Sequence, residues 1–475
     1  MRRGSAALGF ALVAAIAGVV ACSGGSVQGS SGGGLVPDAR RASLHDTPIK
    51  HVIIAIQENR SFDNLFATFP GADGTTTGKA AAMPPSIAQS CSHPIEQPTT
   101  VPLQEVHLAT SFDLGHIYRS FKQDFAKGKM DGFDLGGANA NGSGPPACLD
   151  AYQYVNPSDV TPYWEIARQY VLADHLFQTQ ASSSFTAHQD LVAGGTQIAW
   201  NEAVIDNPSY FPWGCDANKT VVTGVIKKFT GKVLRYGGPF PCFTYATMRD
   251  LLDAKGVSWK FYAMAVHKES SHSHGDTAGI WSAFDAIKAV RYSPEWHTNV
   301  TRNNTVFFTD LANGRLPAVS WITPDGINSD HPQERSDTGP SWIASIVNAI
   351  GRSRYWDSTA IVILWDDWGG FYDHVPPPRP HYWQGGPGFR VPMLIVSPYV
   401  KPHVEHTVYQ FGSILKFIEA NWDLGSLGTN DQQSTGIGNA FDFKMAPRKF
   451  KPISAKYSLD FFLYQKPSGL LPDKE

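Results

Sequence analysis

Cysteine is scarce in this chain. Five occur in 475 residues, and no two stand in Cys-x-x-Cys spacing, which removes the thiolate zinc modules from consideration. Excess positive charge is missing as well. Lysine and arginine number 39 against 42 Asp and Glu, for a formal net charge of −3, so the electrostatic footprint of a nucleic-acid binder is absent. There is neither an internal repeat nor a heptad pattern, which sets aside solenoids and coiled coils. Plentiful instead are glycine, proline and tryptophan, at 44, 33 and 13, a composition of many loops and aromatic-lined surfaces rather than a helix bundle. The length admits one large α/β domain with insertions, or two domains.

The amino terminus has its own design. Met1-Arg-Arg-Gly is a positive start, Ser5 to Ala21 is an apolar run, and Cys22 follows Val19-Val-Ala. Residues 1–22 read as an export signal, and the run is short for a membrane span. The Val-Val-Ala-Cys sequence resembles a bacterial lipobox. On that reading Cys22 carries lipid and residues 23–47, rich in Gly and Ser, are a flexible tether to a membrane. The competing reading is an ordinary secretory signal with a chance cysteine. Either way the protein is expected to be exported, to the periplasm or cell surface with a lipid anchor on a bacterial membrane, or otherwise secreted. The remaining cysteines, Cys91, Cys148, Cys215 and Cys242, suit two disulfides in an oxidising compartment, with three connectivities open. Cys91–Cys148 with Cys215–Cys242 is favoured, because each pair lies within one loop-rich insertion.

Hydrophobic patterning predicts strands at Lys50–Ile56, Val171–Phe177, Ser258–Met264, Leu316–Ile322, Thr359–Leu364 and Val391–Val396. Helical spacing covers Leu114–Lys127, Tyr163–Tyr170, Ala187–Gly194, Tyr245–Ala254, Trp342–Ile350 and Ser413–Ala420. The alternation argues an α/β sandwich with a largely parallel sheet, its domain spanning 48–440 and a tail at 441–475 packed on it.

Two of these strands end in the same chemistry. The first runs into Gln57, Glu58, Asn59 and Arg60, and Ala360–Leu364 runs into Trp365, Asp366 and Asp367. Open α/β sheets hold their ligands at the carboxyl ends of central strands. Adjacent aspartates there repel each other and lose solvation unless a cation offsets them, and oxygen donors suit a hard divalent ion. The alternative is a pair of solvated turns. Gly369 and Gly370 permit close backbone approach behind the carboxylates. Ser184 follows another strand in Ser182-Ser-Ser184, just before a helix, where backbone N–H groups favour phosphate and a nearby cation would activate the hydroxyl.

Taken with Gly128-Lys-Met-Asp-Gly-Phe133, Ser329-Asp-His-Pro332, the stretch Trp365–His374 and Arg390-Val-Pro to Ser397-Pro398, the stretch Glu58–Asp63 resembles the bacterial phosphoesterase family that includes acid phosphatase A and the phosphatidylcholine-type phospholipases C. The motifs occur in the family's order over roughly residues 48 to 425. The resemblance implies an alkaline-phosphatase-like three-layer α/β/α sandwich and a metal-assisted phosphoester hydrolase. It implies Glu58, Asn59, Ser184, Asp366 and Asp367 as ligands of a divalent metal of unspecified identity. It also implies Ser184 as nucleophile and His116 and His331 as groups that contact the phosphoryl oxygens or protonate the leaving group.

This chain departs from the family in having Asp367 where Glu is common, and Ser182-Ser183 where Gly-Pro usually precedes the nucleophile, so Ser183 and Thr186 stay open as alternatives. His188 and His374 read as supporting or structural, and His272 and His274 as peripheral. The expected partners are a phosphoester substrate and, through Cys22, a membrane; nucleic acid is not among them. Competing functions are a sulfatase or mutase of the same fold, or an inactive surface lipoprotein. No Cys/Ser-x-Pro-x-Arg context surrounds Ser184, against the sulfatase.

Overall fold

A computed structural model describes residues 47–110, 112–266, 279–378 and 385–471. The leader, most of the tether, His272 and His274 lie outside them.

β1 (His51–Gln57) is the centre of the fold. Its run of Val52, Ile53, Ile54, Ala55 and Ile56 is at most 1% exposed, because parallel neighbours flank it and both faces are covered. Each of the larger side chains contributes about 1.5–3 kcal/mol by burial. The other strands of this sheet are β2 (Val171–Phe177), β3 (Trp259–Tyr262), β4 (Val300–Thr301), β5 (Val319–Ile322), β6 (Thr359–Trp365), β7 (Arg390–Val396), β8 (His403–Glu405) and β9 (Tyr409–Gln410). The order is β4-β3-β5-β1-β6-β7-β2-β8, with β9 also on β2. All pairings are parallel except those of β7, which runs antiparallel between β6 and β2. The carboxyl ends of β1, β2, β5 and β6 therefore meet at one end of the sheet.

The helices form two layers. α3 (Thr161–Gln169) packs on α7 (Gly339–Gly351), and α4 (Ser184–Ala193) packs on α8 (Phe411–Trp422). The expected α/β/α sandwich is what the chain forms. Tyr163 of α3 meets Trp365 of β6 edge-on at 4.9 Å, and Trp321 of β5 donates its indole N–H to Leu191 O of α4 at 3.1 Å.

Several helix boundaries differ from the sequence reading. The helix expected from Leu114 begins at Tyr118 and ends at Phe125; call this α2. Gly115 and His116 instead donate their backbone N–H groups to Gly137 O and Ala140 O across a loop. The helix expected from Ala187 starts three residues earlier, at Ser184. The helix expected from Tyr245 starts at Met248, where Thr247 and Asp250 form a reciprocal capping box. Within the insertion after residue 196, four short antiparallel strands form a separate sheet. Both favoured disulfides are present, Cys91–Cys148 and Cys215–Cys242. Beyond residue 440 the chain returns to α7, where Asn348 exchanges hydrogen bonds with the Ile453 backbone at 2.8 Å. Among the described residues no helix is long and apolar enough to cross a membrane.

Candidate active site

The turn after β1 is built around Asn59, whose backbone has φ 59°, a left-handed conformation that asparagine tolerates better than most residues. Its N–H donates to Asp366 Oδ1 at 3.0 Å, which ties the end of β1 to the end of β6. Asn59 Nδ2 lies 3.1 Å from His116 Nε2, and His116 Nδ1 lies 2.8 Å from Leu114 O. A carbonyl can only accept, so Nδ1 carries the ring proton and Nε2 takes the amide N–H. The carboxamide oxygen is thereby turned inward. Asn59 Oδ1 and Asp366 Oδ2 are buried without a hydrogen-bond partner among the described residues.

Behind this corner lies a hydrogen-bonded frame. Arg60 is buried, donating to Asp330 O, Asn64 Oδ1 and Leu108 O at 2.9–3.1 Å, and burial pulls its pKa down to about 10. Ser61 caps α1 (Phe62–Phe66) by accepting from Asn64 N. Asp330 lies at φ 69° and takes the Tyr163 hydroxyl at 2.6 Å and the Trp365 indole at 3.1 Å. Burial raises its carboxyl to about 6, against the Tyr163 hydrogen bond and the Arg60 charge. This turn presents His331, whose ring centroid is 6.4 Å from that of His116.

Asp366 and Asp367 are wholly buried, not a solvated turn. Asp367 Oδ1 accepts Gly369 N–H at 2.7 Å, and its Oδ2 accepts the Ser184 hydroxyl at 3.2 Å. Gly369 has φ +61°, and a Cβ there would sit 2.1 Å from Asn59 O, so the turn after β6 can lie against the turn after β1 only with glycine. The neighbouring hydroxyls are committed elsewhere. Ser183 Oγ donates to Asn207 Oδ1 at 2.9 Å and Thr186 Oγ1 to Ser183 O at 2.9 Å.

The structure thus brings Glu58, Asn59, Ser184, Asp366, Asp367, His116 and His331 to one end of the sheet. It adds His188, which the sequence reading had placed in a supporting role. His188 Nε2 is 3.0 Å from Glu58 Oε1 and 3.9 Å from Asp366 Oδ2. The available signal was its position four residues after Ser184, the same face of α4 once that helix starts at Ser184. Glu58, His188 and Asp366 offer donor atoms within 4.8 Å of one another. With the inward oxygens of Asn59 and Asp366, this donor set fits a divalent cation. His374 lies apart, with Nδ1 2.7 Å from Asp63 Oδ2.

Comparison with known proteins identifies the family. The model of the phosphoesterase family matches residues 49–425. Phospholipase C B of Mycobacterium tuberculosis is 26% identical, covering 86% of this chain and 80% of its own. The non-hemolytic phospholipase C of Burkholderia pseudomallei is 24% identical, covering 86% and 59%. Among solved structures, an alkaline phosphatase superfamily protein from Vibrio parahaemolyticus is similar with a TM-score of 0.35 and 12% identity, over 81% of this chain and 70% of that one. With a family match over most of its length and relatives named as phospholipases C, the chain belongs to the phosphoesterase family and is a hydrolase of phosphoester bonds.

Proposed function

We propose that this protein is a metal-dependent phosphoester hydrolase with Ser184 as nucleophile, acting on phosphomonoesters or on phosphodiester and phospholipid head groups. The observation that carries the reading is the Ser184 Oγ contact with Asp367 Oδ2 at 3.2 Å, beside the inward, unbonded Asn59 Oδ1 and Asp366 Oδ2. Glu58, Asn59, Asp366, Asp367 and Ser184 would hold the ion. When bound it acts as a Lewis acid on the phosphoryl oxygens and lowers the pKa of the serine hydroxyl.

The chain's own groups then have distinct tasks. Ser184 passes its hydroxyl proton to Asp367 Oδ2, and its Oγ attacks phosphorus in line, forming the Ser–O–P bond as the P–O bond to the ester oxygen breaks. His116 keeps its proton on Leu114 O and its lone pair on the Asn59 amide, so it positions Asn59. His331 is left as the acid that protonates the departing alcohol. Water then cleaves the phosphoserine and restores the hydroxyl. The two disulfides support export, and lipidation of Cys22 belongs to the same proposal.

The Ser184→Ala chain tests this. Assayed on a phosphomonoester, a phosphodiester and phosphatidylcholine, it is expected to lose at least about 10⁴-fold in kcat on whichever ester the wild type hydrolyses. Its metal content after dialysis should match the wild type. Turnover within tenfold of wild type would reject Ser184 as nucleophile.

A further inference from the structure

β2 is interrupted on both sides at one level. On one side the register with β7 slips, so that Ala173 faces Met393 and Leu176 faces Val391, leaving Asp174 and His175 opposite Pro392 alone. On the other, β8 leaves β2 after Ala173 and β9 rejoins it at Leu176. The intervening residues, from His406 on, lie beside the same gap. Such bulges redirect side chains and recur next to functional sites. Here they converge Asp174, His175 and His406, whose donor atoms all lie within 4.8 Å of one another.

The contacts of His175 with two carboxylates call for positive charge, which a bound ion or a second ring proton can supply. His175 Nε2 is 3.2 Å from Asp73 Oδ2, and His175 Nδ1 is 2.7 Å from Asp174 Oδ1. A neutral imidazole has one N–H. With that proton on Asp73, the other ring nitrogen presents a lone pair to a carboxylate oxygen, a repulsive contact unless positive charge lies between them. His406 Nδ1 approaches the other oxygen of the same carboxylate at 2.8 Å. An outer carboxylate on the far nitrogen of a ligating histidine is the arrangement that fixes tautomer and ring orientation at metal sites.

We propose that Asp174, His175 and His406 bind a divalent ion, with Asp73 orienting the His175 ring. Two imidazole nitrogens and one carboxylate select a borderline ion of the zinc class over magnesium or calcium. The site is separate from the Glu58–Asp366 corner and does not depend on its assignment. Its place gives it a structural task. Asp73 lies on the segment that follows Asn59, and β2 leads to Ser184. His374, seven residues beyond Asp367, has Nε2 3.2 Å from Asp73 Oδ1. A bound ion joins β2, which leads to Ser184, to the segment between β8 and β9 and, through Asp73 and His374, steadies the segments that follow Asn59 and Asp367.

The test uses the full chain stripped of metal and titrated with Zn²⁺, reading bound equivalents and the zinc-dependent rise in Tm. His406 is 61% exposed in its side chain, so His406→Ala is expected to fold. Wild type should bind two equivalents, Asp366→Asn one, His406→Ala one, and the double variant none, and His406→Ala should lose part of the rise in Tm. His403→Ala, an exposed histidine nearby, should behave as wild type. One equivalent in wild type and in Asp366→Asn but none in His406→Ala would reject the corner ion and leave this site standing. If His406→Ala binds as much zinc as wild type with an equal rise in Tm, the site is refuted and a proton supplies the charge on His175.

Discussion

Asn59 and His116 hold each other in a single orientation: the amide nitrogen stands 3.1 Å from Nε2, while Leu114 O occupies Nδ1 at 2.8 Å. The pair decides which atom of the carboxamide faces the site. Asn59→Asp keeps the shape and a side chain that tolerates φ 59°, but sets a carboxylate against the His116 lone pair. Its kcat on a chromogenic phosphoester is expected to fall about 10²–10³-fold. The His116 pKa, followed by NMR, should rise as the ring takes up a proton to answer the new charge.

Gly369 is the hinge of the Asp366–Gly370 turn. A methyl group at Gly369 would meet Asn59 O at 2.1 Å, at a φ of +61°. Gly369→Ala should lower stability by about 2 kcal/mol or more in denaturant melts. It should also reduce activity more than an alanine at an exposed glycine such as Gly425, which has nothing within 4 Å.

Glu419 provides a pH prediction. Burial and then the Asp431 charge raise its carboxyl from 4.5 to about 8. The folded state therefore holds a proton that the unfolded chain releases near 4.5. Stability from this group declines as pH rises from about 4.5 through 8. Glu419→Gln should show a smaller fall in Tm between pH 5 and pH 9 than wild type.

The Cys91–Cys148 disulfide closes a separation of 57 residues. Replacing both cysteines with serine removes that restraint from the unfolded chain, and about 2–4 kcal/mol of stability should be lost. Denaturant melts of wild type and of the double-serine variant check the figure.

How legible the site was varies by residue. Glu58, Asn59, Asp366 and Asp367 stood out because polar oxygens directly after β-branched runs are costly without a purpose. Ser184 was visible as a serine before a helix, but the choice among Ser183, Ser184 and Thr186 was not. The bonds of Ser183 to Asn207 and of Thr186 to Ser183 O, which support the role proposed for Ser184, come from the structure. The place of His188 beside Glu58 was hidden because the helix start was placed at Ala187, which obscures its i, i+4 relation to Ser184. Helical spacing of Ile117, Phe121 and Phe125 extended the next error to Leu114, where loop hydrogen bonds win over propensity.

What the sequence determined by itself was local and compositional: which runs are buried strands, where oxygen-rich ends follow them, and that the cysteines pair. These follow from side-chain period and solvation cost, properties of neighbouring residues. The tertiary structure decided everything that depends on pieces far apart in the chain. It turned β7 antiparallel, directed the Asn59 oxygen inward through His116, and gathered Asp174, His175 and His406 at a double interruption of β2. Register, bulges and hydrogen-bond partners are set by which strands lie side by side, and no window of local sequence contains both members of such a pair.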